Sequence, residues 1–249
     1  MNNFIFNIQS LYIIFLKKLG KIFYKHKRYL MSSKPEYNLF EKFELDEKND
    51  SYIYFKKYFY KSIFIEDDKI REYSIKKSIE LNDYDKKNTK DLYFLEFGVY
   101  KGISINTFSK FVHNIHGFDS FEGLTEDWKG FYREKGSFNL NGKIPSMKKN
   151  VTIHKGLVQE TLNDFLKKEN PKICFVHMDL DTYESSKFVL ENIKPYMLNN
   201  SVILFDELYN YSGWKNGEHM ALTETFEEDS YEYIAFSKTG KRACIKCIS

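Results

Sequence analysis

The sequence contains few cysteines, and this shortage excludes a disulfide-stapled protein. Three cysteines in 249 residues are too few for a disulfide framework. Cys244 and Cys247 form a CxxC pair, but no second Cys/His pair lies nearby. We therefore interpret them as small apolar residues of a late strand rather than as zinc ligands. A chain of this length can form one α/β domain, and its cysteines fit a reducing cytoplasm.

The sequence also lacks an apolar run long enough to cross a membrane. Residues 4–16 are apolar, but Asn7, Gln9 and Ser10 interrupt them, and a spanning helix needs about 20 residues. A secretory signal fits poorly, because no charge precedes this run and no small-residue cleavage site follows it.

Neither sign of charge is in large excess, since 38 lysines and arginines face 35 acidic residues, a net charge of +3. Residues 1–35 hold seven lysines and arginines and no acidic residue, which leaves 31 basic against 35 acidic residues in the remainder. The main domain therefore lacks the basic excess that nucleic-acid binding requires. We predict no nucleic-acid partner.

The first 35 residues form a basic arm with helical periodicity. Its apolar residues recur at helical spacing: Phe4, Ile8, Leu11, Phe15, Leu19 and Phe23. Two interpretations stay open, a basic amphipathic helix in a membrane interface through residues 1–30, or a helix packed on the domain or on a partner. In the membrane interpretation, the arm would attach an otherwise cytoplasmic protein to the membrane surface. The sequence also leaves open whether the protein forms a homo-oligomer.

Residues 36–90 are predicted to be a mostly helical lead-in, and residues 91–249 alternate between strands and helices. The alternation predicts an α/β fold, a mostly parallel seven-stranded sheet with helices on both faces and a C-terminal antiparallel hairpin. The predicted strands are 92–97, 115–119, 151–154, 173–178, 201–205, 231–236 and 243–248. Residues 121–150 interrupt the alternation, and a long irregular insertion in a compact domain is usually functional.

A turn with two glycines follows the first of these strands. Gly98 and Gly102 have GxxxG spacing, not the GxGxxG spacing of dinucleotide enzymes. Glycine lets a backbone approach a ligand closely, and the following helix N-terminus favours an anionic group. An ordinary strand-to-helix turn is an equally good interpretation of this motif alone. Asp119, after the second strand, could accept hydrogen bonds from ribose hydroxyls or simply cap a turn.

Acidic residues follow two later strands. Asp179 and Asp181 come after the fourth strand, and Asp206 and Glu207 after the fifth. Because the carboxyl ends of parallel strands meet at one edge of a sheet, these carboxylates would repel one another unless a cation lies between them. Oxygen ligands suit Mg²⁺, Mn²⁺ or Ca²⁺. His177 should point to the same side as Asp179, as a base or, more simply, as a hydrogen-bonded strand histidine.

Five sequence blocks in fixed order resemble the macrocin O-methyltransferase-like group of class I S-adenosylmethionine-dependent enzymes. The resemblance covers about residues 90–249 and implies the class I methyltransferase fold, which is Rossmann-like. The blocks are LEFGVYKG (95–102), HGFDSFEGL (116–124), GLVQETL (156–162), HMDLDTYESS (177–186) and FDELYNYSGW (205–214).

The resemblance implies S-adenosylmethionine as cofactor and a divalent metal, usually Mg²⁺. The residues that match cofactor-binding positions are Glu96, Gly98 and Gly102 for the methionine part, and Asp119, Ser120 and Phe121 at the ribose. The matching metal ligands are Asp179, Asp206 and Glu207, with Asp181 adjacent. The family commonly has Asp-Asp where this chain has Asp206-Glu207, which leaves the metal's identity open. Asp179, Asp181 and His177 are the candidate catalytic residues.

The sequence therefore predicts metal-assisted O-methylation of a hydroxyl on a sugar or related polyol, with a small molecule or glycan as substrate. Two alternatives remain. Asp179-Leu180-Asp181 also matches the DxD motif with which glycosyltransferases hold a metal and a nucleotide sugar. The chain could otherwise be a non-catalytic cofactor-binding module tethered by its basic arm.

Overall fold

The computed structural model of the chain describes residues 15–23, 38–86, 89 and 91–248. Most of the predicted basic arm lies outside these residues, and within it residues 15–23 are helical. The chain divides into two compact units, Met1–Lys42 and Phe43–Ser249, and the candidate site lies in the second. Among the described residues, none of the helices has both the length and the apolar character that crossing a membrane requires.

A single sheet of eight strands, ordered β1-β7-β8-β6-β5-β2-β3-β4, organises the second unit. The sheet is parallel except for β8, which runs antiparallel to both its neighbours. The strands are β1 (Ile63–Ile65), β2 (Leu92–Phe97), β3 (Ile115–Asp119), β4 (Val151–Lys155), β5 (Lys172–Met178), β6 (Met197–Phe205), β7 (Tyr231–Ser237) and β8 (Ala243–Cys247).

The predicted mostly parallel sheet and C-terminal hairpin are confirmed, but the count of seven strands was one too low. The additional strand is β1, three residues that pair in parallel with β7 at the edge of the sheet. Ile63 and Phe64 of this strand are exposed. A strand this short, without alternation of apolar and polar residues, carries no periodic signal that could be detected in the sequence.

Helices pack on both faces of the sheet. They are α1 (Leu39–Phe59), α2 (Ile70–Leu81), α3 (Ile103–Phe108), α4 (Val158–Glu169), α5 (Tyr183–Ile193) and α6 (Glu218–Thr225), with 3₁₀ turns at Lys194–Tyr196, Trp214–Asn216 and Glu228–Ser230. Helix α3 has only six residues, because turn residues follow Phe108.

The core consists of two apolar clusters, one on each face of the sheet. Strand β2 contributes to both, since Leu95 and Phe97 belong to one cluster and Leu92 and Phe94 to the other. A parallel sheet covered on both faces accounts for this continuous apolar strand. Cys244 and Cys247 are buried in β8, as expected for small apolar strand residues.

The order of the strands determines where a ligand can bind. From β2 the chain proceeds to β3 and β4 on one side and then returns to β5 on the other side of β2. Ligands of open α/β sheets bind beyond the carboxyl ends of the strands at such a reversal. The glycine turn after β2 and the acidic residues after β5 and β6 meet there.

Candidate active site

A cavity of about 350 Å³ lies at this reversal. The glycine turn, the ends of β3, β4, β5 and β6, the insertion 121–150 and the β7–β8 turn all contribute to its walls. Of the residues predicted from the sequence, the cavity is lined by Gly98, Asp119, Ser120, Asp179, Asp181 and Glu207. The predicted site residues that do not line it are Glu96, Gly102, Phe121, His177 and Asp206.

Gly98 lets the turn after β2 press against the end of β5. Its φ is +84°, and an added Cβ would overlap the backbone carbonyl oxygen of Asp179. The amide of Asp179 donates to the carbonyl of Phe97 at 2.9 Å. Only glycine can therefore occupy this position without separating the turn from β5.

Asp119 braces the glycine turn from the neighbouring strand. One carboxylate oxygen accepts hydrogen bonds from the amides of Val99 (2.8 Å) and Tyr100 (2.7 Å), and the other accepts from the amide of Phe121 (2.6 Å). Asp119 thus orders the backbone of the turn while still facing the cavity. Phe121, predicted near the ribose, has its side chain buried in the core.

Glu96 and His177 form a buried polar chain behind the cavity. Strands β2 and β5 place the two residues side by side. Glu96 accepts a hydrogen bond from the Ser104 hydroxyl at 2.6 Å, and its other oxygen lies 3.6 Å from Nδ1 of His177. Burial alone would lower the pKa of His177, but the hydrogen bond with Asp206 and the negative charges of Glu96 and Asp206 raise it. His177 is a hydrogen-bonded strand histidine, without direct access to the cavity.

Asp206 is held by two arginines that the sequence analysis did not identify. Nη2 of Arg71 lies 2.7 Å from Oδ1 of Asp206, and Arg242 binds both oxygens at 2.6 and 2.9 Å. Nε2 of His177 lies 3.3 Å from the same carboxylate. Burial opposes ionisation of Asp206, yet the hydrogen bonds from His177 and Arg242 hold its pKa well below the usual range. Neither arginine belongs to a recognisable motif.

Three other carboxylates converge in the cavity. Asp179, Asp181 and Glu207 each place an oxygen within 4.8 Å of the other two. Burial and the neighbouring negative charges raise the pKa of Asp179 and Asp181, and they raise that of Glu207 to about 7. Oε2 of Glu207 is buried without a hydrogen-bond partner among the described residues. We call these three residues the acidic triad.

Glu218 links the two loops that carry the acidic triad. It is fully buried at the start of α6. Its carboxylate accepts hydrogen bonds from the amides of Leu180 (3.2 Å) and Glu207 (3.3 Å). The sequence analysis missed this role, because Glu218 follows a polar loop and its partners lie on two different strand ends.

The raised pKa of Glu207 predicts a pH-dependent effect on stability. The metal-free folded protein retains a proton on Glu207 up to about pH 7, whereas the unfolded chain loses it near the ordinary value of 4.5. The free energy of unfolding therefore falls as the pH rises from 4.5 to about 7, because the unfolded chain releases the proton of Glu207 first. Above pH 7 the contribution of Glu207 to stability stays at its lowest value. The Tm of Glu207→Gln relative to the parent, measured in EDTA, should increase from pH 4.5 to pH 7. The exposed variant Glu184→Gln should show no such trend, and a constant Tm difference for Glu207→Gln would contradict the assignment.

The insertion 121–150 forms one wall of the cavity and docks on the loop after β6. The two backbones touch at Gly130 and Gly213, which both have a φ of +78°, and a Cβ on Gly130 would lie 2.6 Å from Cα of Gly213. The rings of Trp128 and Tyr211 meet nearby, with centroids 5.8 Å apart. The insertion is thus held against the loop after β6 while it lines the cavity.

Gly130→Ala should loosen the insertion. A left-handed alanine alone costs roughly 1–2 kcal/mol, and here the methyl group would also force the two backbones apart. Gly136→Ala is the matched control, since its φ is +84° but no atom lies within 4 Å of the added Cβ. We expect faster proteolytic cleavage in the insertion for Gly130→Ala than for Gly136→Ala. Equal cleavage rates would contradict the docking contact.

Comparison with known proteins agrees with this geometry. Residues 95–208 match the model of a family described as Methyltransferase domain. CalS11, a calicheamicin methyltransferase, is 22% identical over 72% of this chain and 78% of its own, with a TM-score of 0.57. The O-methyltransferase NovP is 15% identical over 73% of this chain and 80% of its own, with a TM-score of 0.51. A search of curated proteins finds no match.

The chain has the class I methyltransferase fold, as the sequence predicts, because solved methyltransferases share its architecture. Residues 95–208 match the methyltransferase-domain model. The DxD motif, Asp179-Leu180-Asp181, lies inside the matched residues, which favours the methyltransferase interpretation over the glycosyltransferase alternative.

Proposed function

We propose that the enzyme transfers the methyl group of S-adenosylmethionine to a hydroxyl of a sugar or related polyol, with the help of a divalent metal. The acidic triad carries this proposal, because it faces the same cavity as the glycine turn. The aromatic residues of the insertion wall fit the apolar face of a sugar ring. The structural match to the O-methyltransferase NovP supports an oxygen acceptor.

The acidic triad has the chemistry of a divalent metal site. Asp179, Asp181 and Glu207 supply the oxygen ligands that Mg²⁺ prefers, and the unpartnered Oε2 of Glu207 is buried. Asp206, which the sequence analysis assigned to the metal, could hold an ion together with Asp179 and His177, but its carboxylate is already paired with Arg71 and Arg242. We therefore assign Asp181 in its place. When bound, Mg²⁺ would lower the pKa of an acceptor hydroxyl.

The residues of this chain have three further tasks. Gly98 and the backbone ordered by Asp119 would position the cofactor, so that methyl group and hydroxyl oxygen are aligned; orientation contributes at most about 7–11 kcal/mol. A carboxylate oxygen of Asp181 that does not hold the metal would accept the hydroxyl proton, since Asp181 lines the cavity beside the acceptor. The insertion would exclude water from the cavity.

Transfer of a labelled methyl group to extracted glycans and metabolites tests the proposed acceptor chemistry. The label should be recovered as a methyl ether of a sugar or polyol after hydrolysis. Recovery on nitrogen or carbon would contradict the proposal, as would label confined to aromatic hydroxyl groups. Glu184→Gln, a substitution of an exposed acid outside the cavity, should transfer the label as the parent does.

A further inference from the structure

Two cations line the cavity, Lys241 of the β7–β8 turn and Arg133 of the insertion. Lys241 is half-buried and Arg133 is exposed at the rim. Among the residues that the structure describes, no ion pair includes either side chain. The methyl-transfer chemistry proposed above uses neither of them.

Aromatic rings hold both cations in place. Nζ of Lys241 lies 4.4, 5.0 and 5.6 Å from the ring centroids of Phe131, Tyr211 and Trp128. Cζ of Arg133 lies 4.9 Å from the ring centroid of Tyr132 and 5.6 Å from that of Phe138. A cation–π contact fixes a cation without cancelling its charge, as a carboxylate would. Both side chains therefore remain able to attract an anion.

Lys241 lines the same cavity as the acidic triad. A divalent ion held by the triad would balance the charge of those carboxylates without Lys241. Lys241 and Arg133 would then remain available to an anionic group of the acceptor.

We propose that the acceptor carries a phosphate ester, which Lys241 and Arg133 bind while the hydroxyl to be methylated faces the acidic triad. This inference rests on the proposed function and narrows its substrate class. The guanidinium fork and the ammonium both suit phosphate oxygens. A sugar monophosphate and a nucleoside-diphosphate sugar both carry such a phosphate ester. In either compound, the aromatic rings around the two cations would cover the apolar face of the sugar ring.

Calorimetric titration of the full chain, loaded with S-adenosylhomocysteine and Mg²⁺, tests the anion site. The probes are inorganic phosphate, uridine diphosphate and uncharged uridine. We expect both phosphate probes to bind and uridine to bind more weakly. Lys241→Gln should lower the affinity for inorganic phosphate and for uridine diphosphate about 10-fold or more. Lys241→Arg should restore most of the affinity for these two probes. Tighter binding of uridine diphosphate than of phosphate would point to a nucleotide-linked acceptor, and equal binding to a simple sugar phosphate.

The matched control is Lys238→Gln in the same turn, since Lys238 is paired with Glu66 and does not line the cavity. It should leave the affinity for phosphate unchanged. Absence of phosphate binding, or equal affinities for the parent and Lys241→Gln, would overturn this inference. If S-adenosylhomocysteine still binds in the same preparation and neutral glycans are methylated, only this inference fails. If S-adenosylhomocysteine does not bind, the proposed function itself fails.

Discussion

Asp181→Asn should reduce the rate of methyl transfer by about 10²-fold or more, the contribution typical of a positioned base. The substitution keeps the size of the side chain but removes the charge that would accept the hydroxyl proton and face the metal. The affinity for S-adenosylhomocysteine should change little, because the glycine turn and Asp119 do not depend on Asp181. Single-turnover kinetics and calorimetry on the same preparation separate the two effects.

Glu184→Gln is the control for this experiment, since Glu184 lies three residues further along the chain and is exposed. It should retain the parent's rate. An Asp181→Asn enzyme with undiminished transfer would remove Asp181 from the mechanism. Loss of transfer together with loss of cofactor binding would indicate a disturbed cavity instead, and the structure argues against that outcome because no hydrogen bond joins Asp181 to the glycine turn.

Arg242→Leu should destabilise the fold by about 3–5 kcal/mol, the cost typical of removing one partner of a buried ion pair. Asp206 is 6% exposed and Arg242 is 20% exposed. Without the bidentate contact, Asp206 would keep a buried charge with only Arg71 and His177 beside it. Denaturant unfolding, monitored by circular dichroism, measures the loss.

Two further variants make this prediction specific. Arg242→Lys should recover part of the stability, since it restores the charge but not the two parallel hydrogen bonds. The double variant Arg242→Leu/Asp206→Leu should be more stable than Arg242→Leu alone, because it removes the buried carboxylate and leaves unpaired only Arg71, which is 27% exposed. If the double variant were the less stable one, the ion pair would not be what stabilises this end of the sheet.

The sequence was most informative where a functional residue directly follows a strand. The cavity is lined by four residues that end a strand or follow one within two positions: Gly98, Asp119, Asp179 and Glu207. Their placement follows from local signals, an apolar run and the residues that end it. The parallel arrangement of the strands then brings these positions to one edge of the sheet.

The partners of these residues could not be predicted, because they come from distant parts of the chain. Arg71 contacts Asp206 across 135 residues and Arg242 across 36. Glu218 reaches two strand ends from the start of a later helix. Such pairings depend on the order of strands in the sheet, which the sequence pattern does not specify. The assignment of Asp206 to the metal did not anticipate the two arginines.

The most direct test of metal-assisted methyl transfer is the rate with which labelled methyl groups reach the glycan pool in Mg²⁺ and in EDTA. We predict transfer in Mg²⁺, loss of transfer in EDTA and recovery when Mg²⁺ is restored. Asp179→Asn, which removes one charge of the acidic triad, should require more Mg²⁺ for half-maximal transfer. Transfer at an undiminished rate in EDTA would contradict the role proposed for the acidic triad.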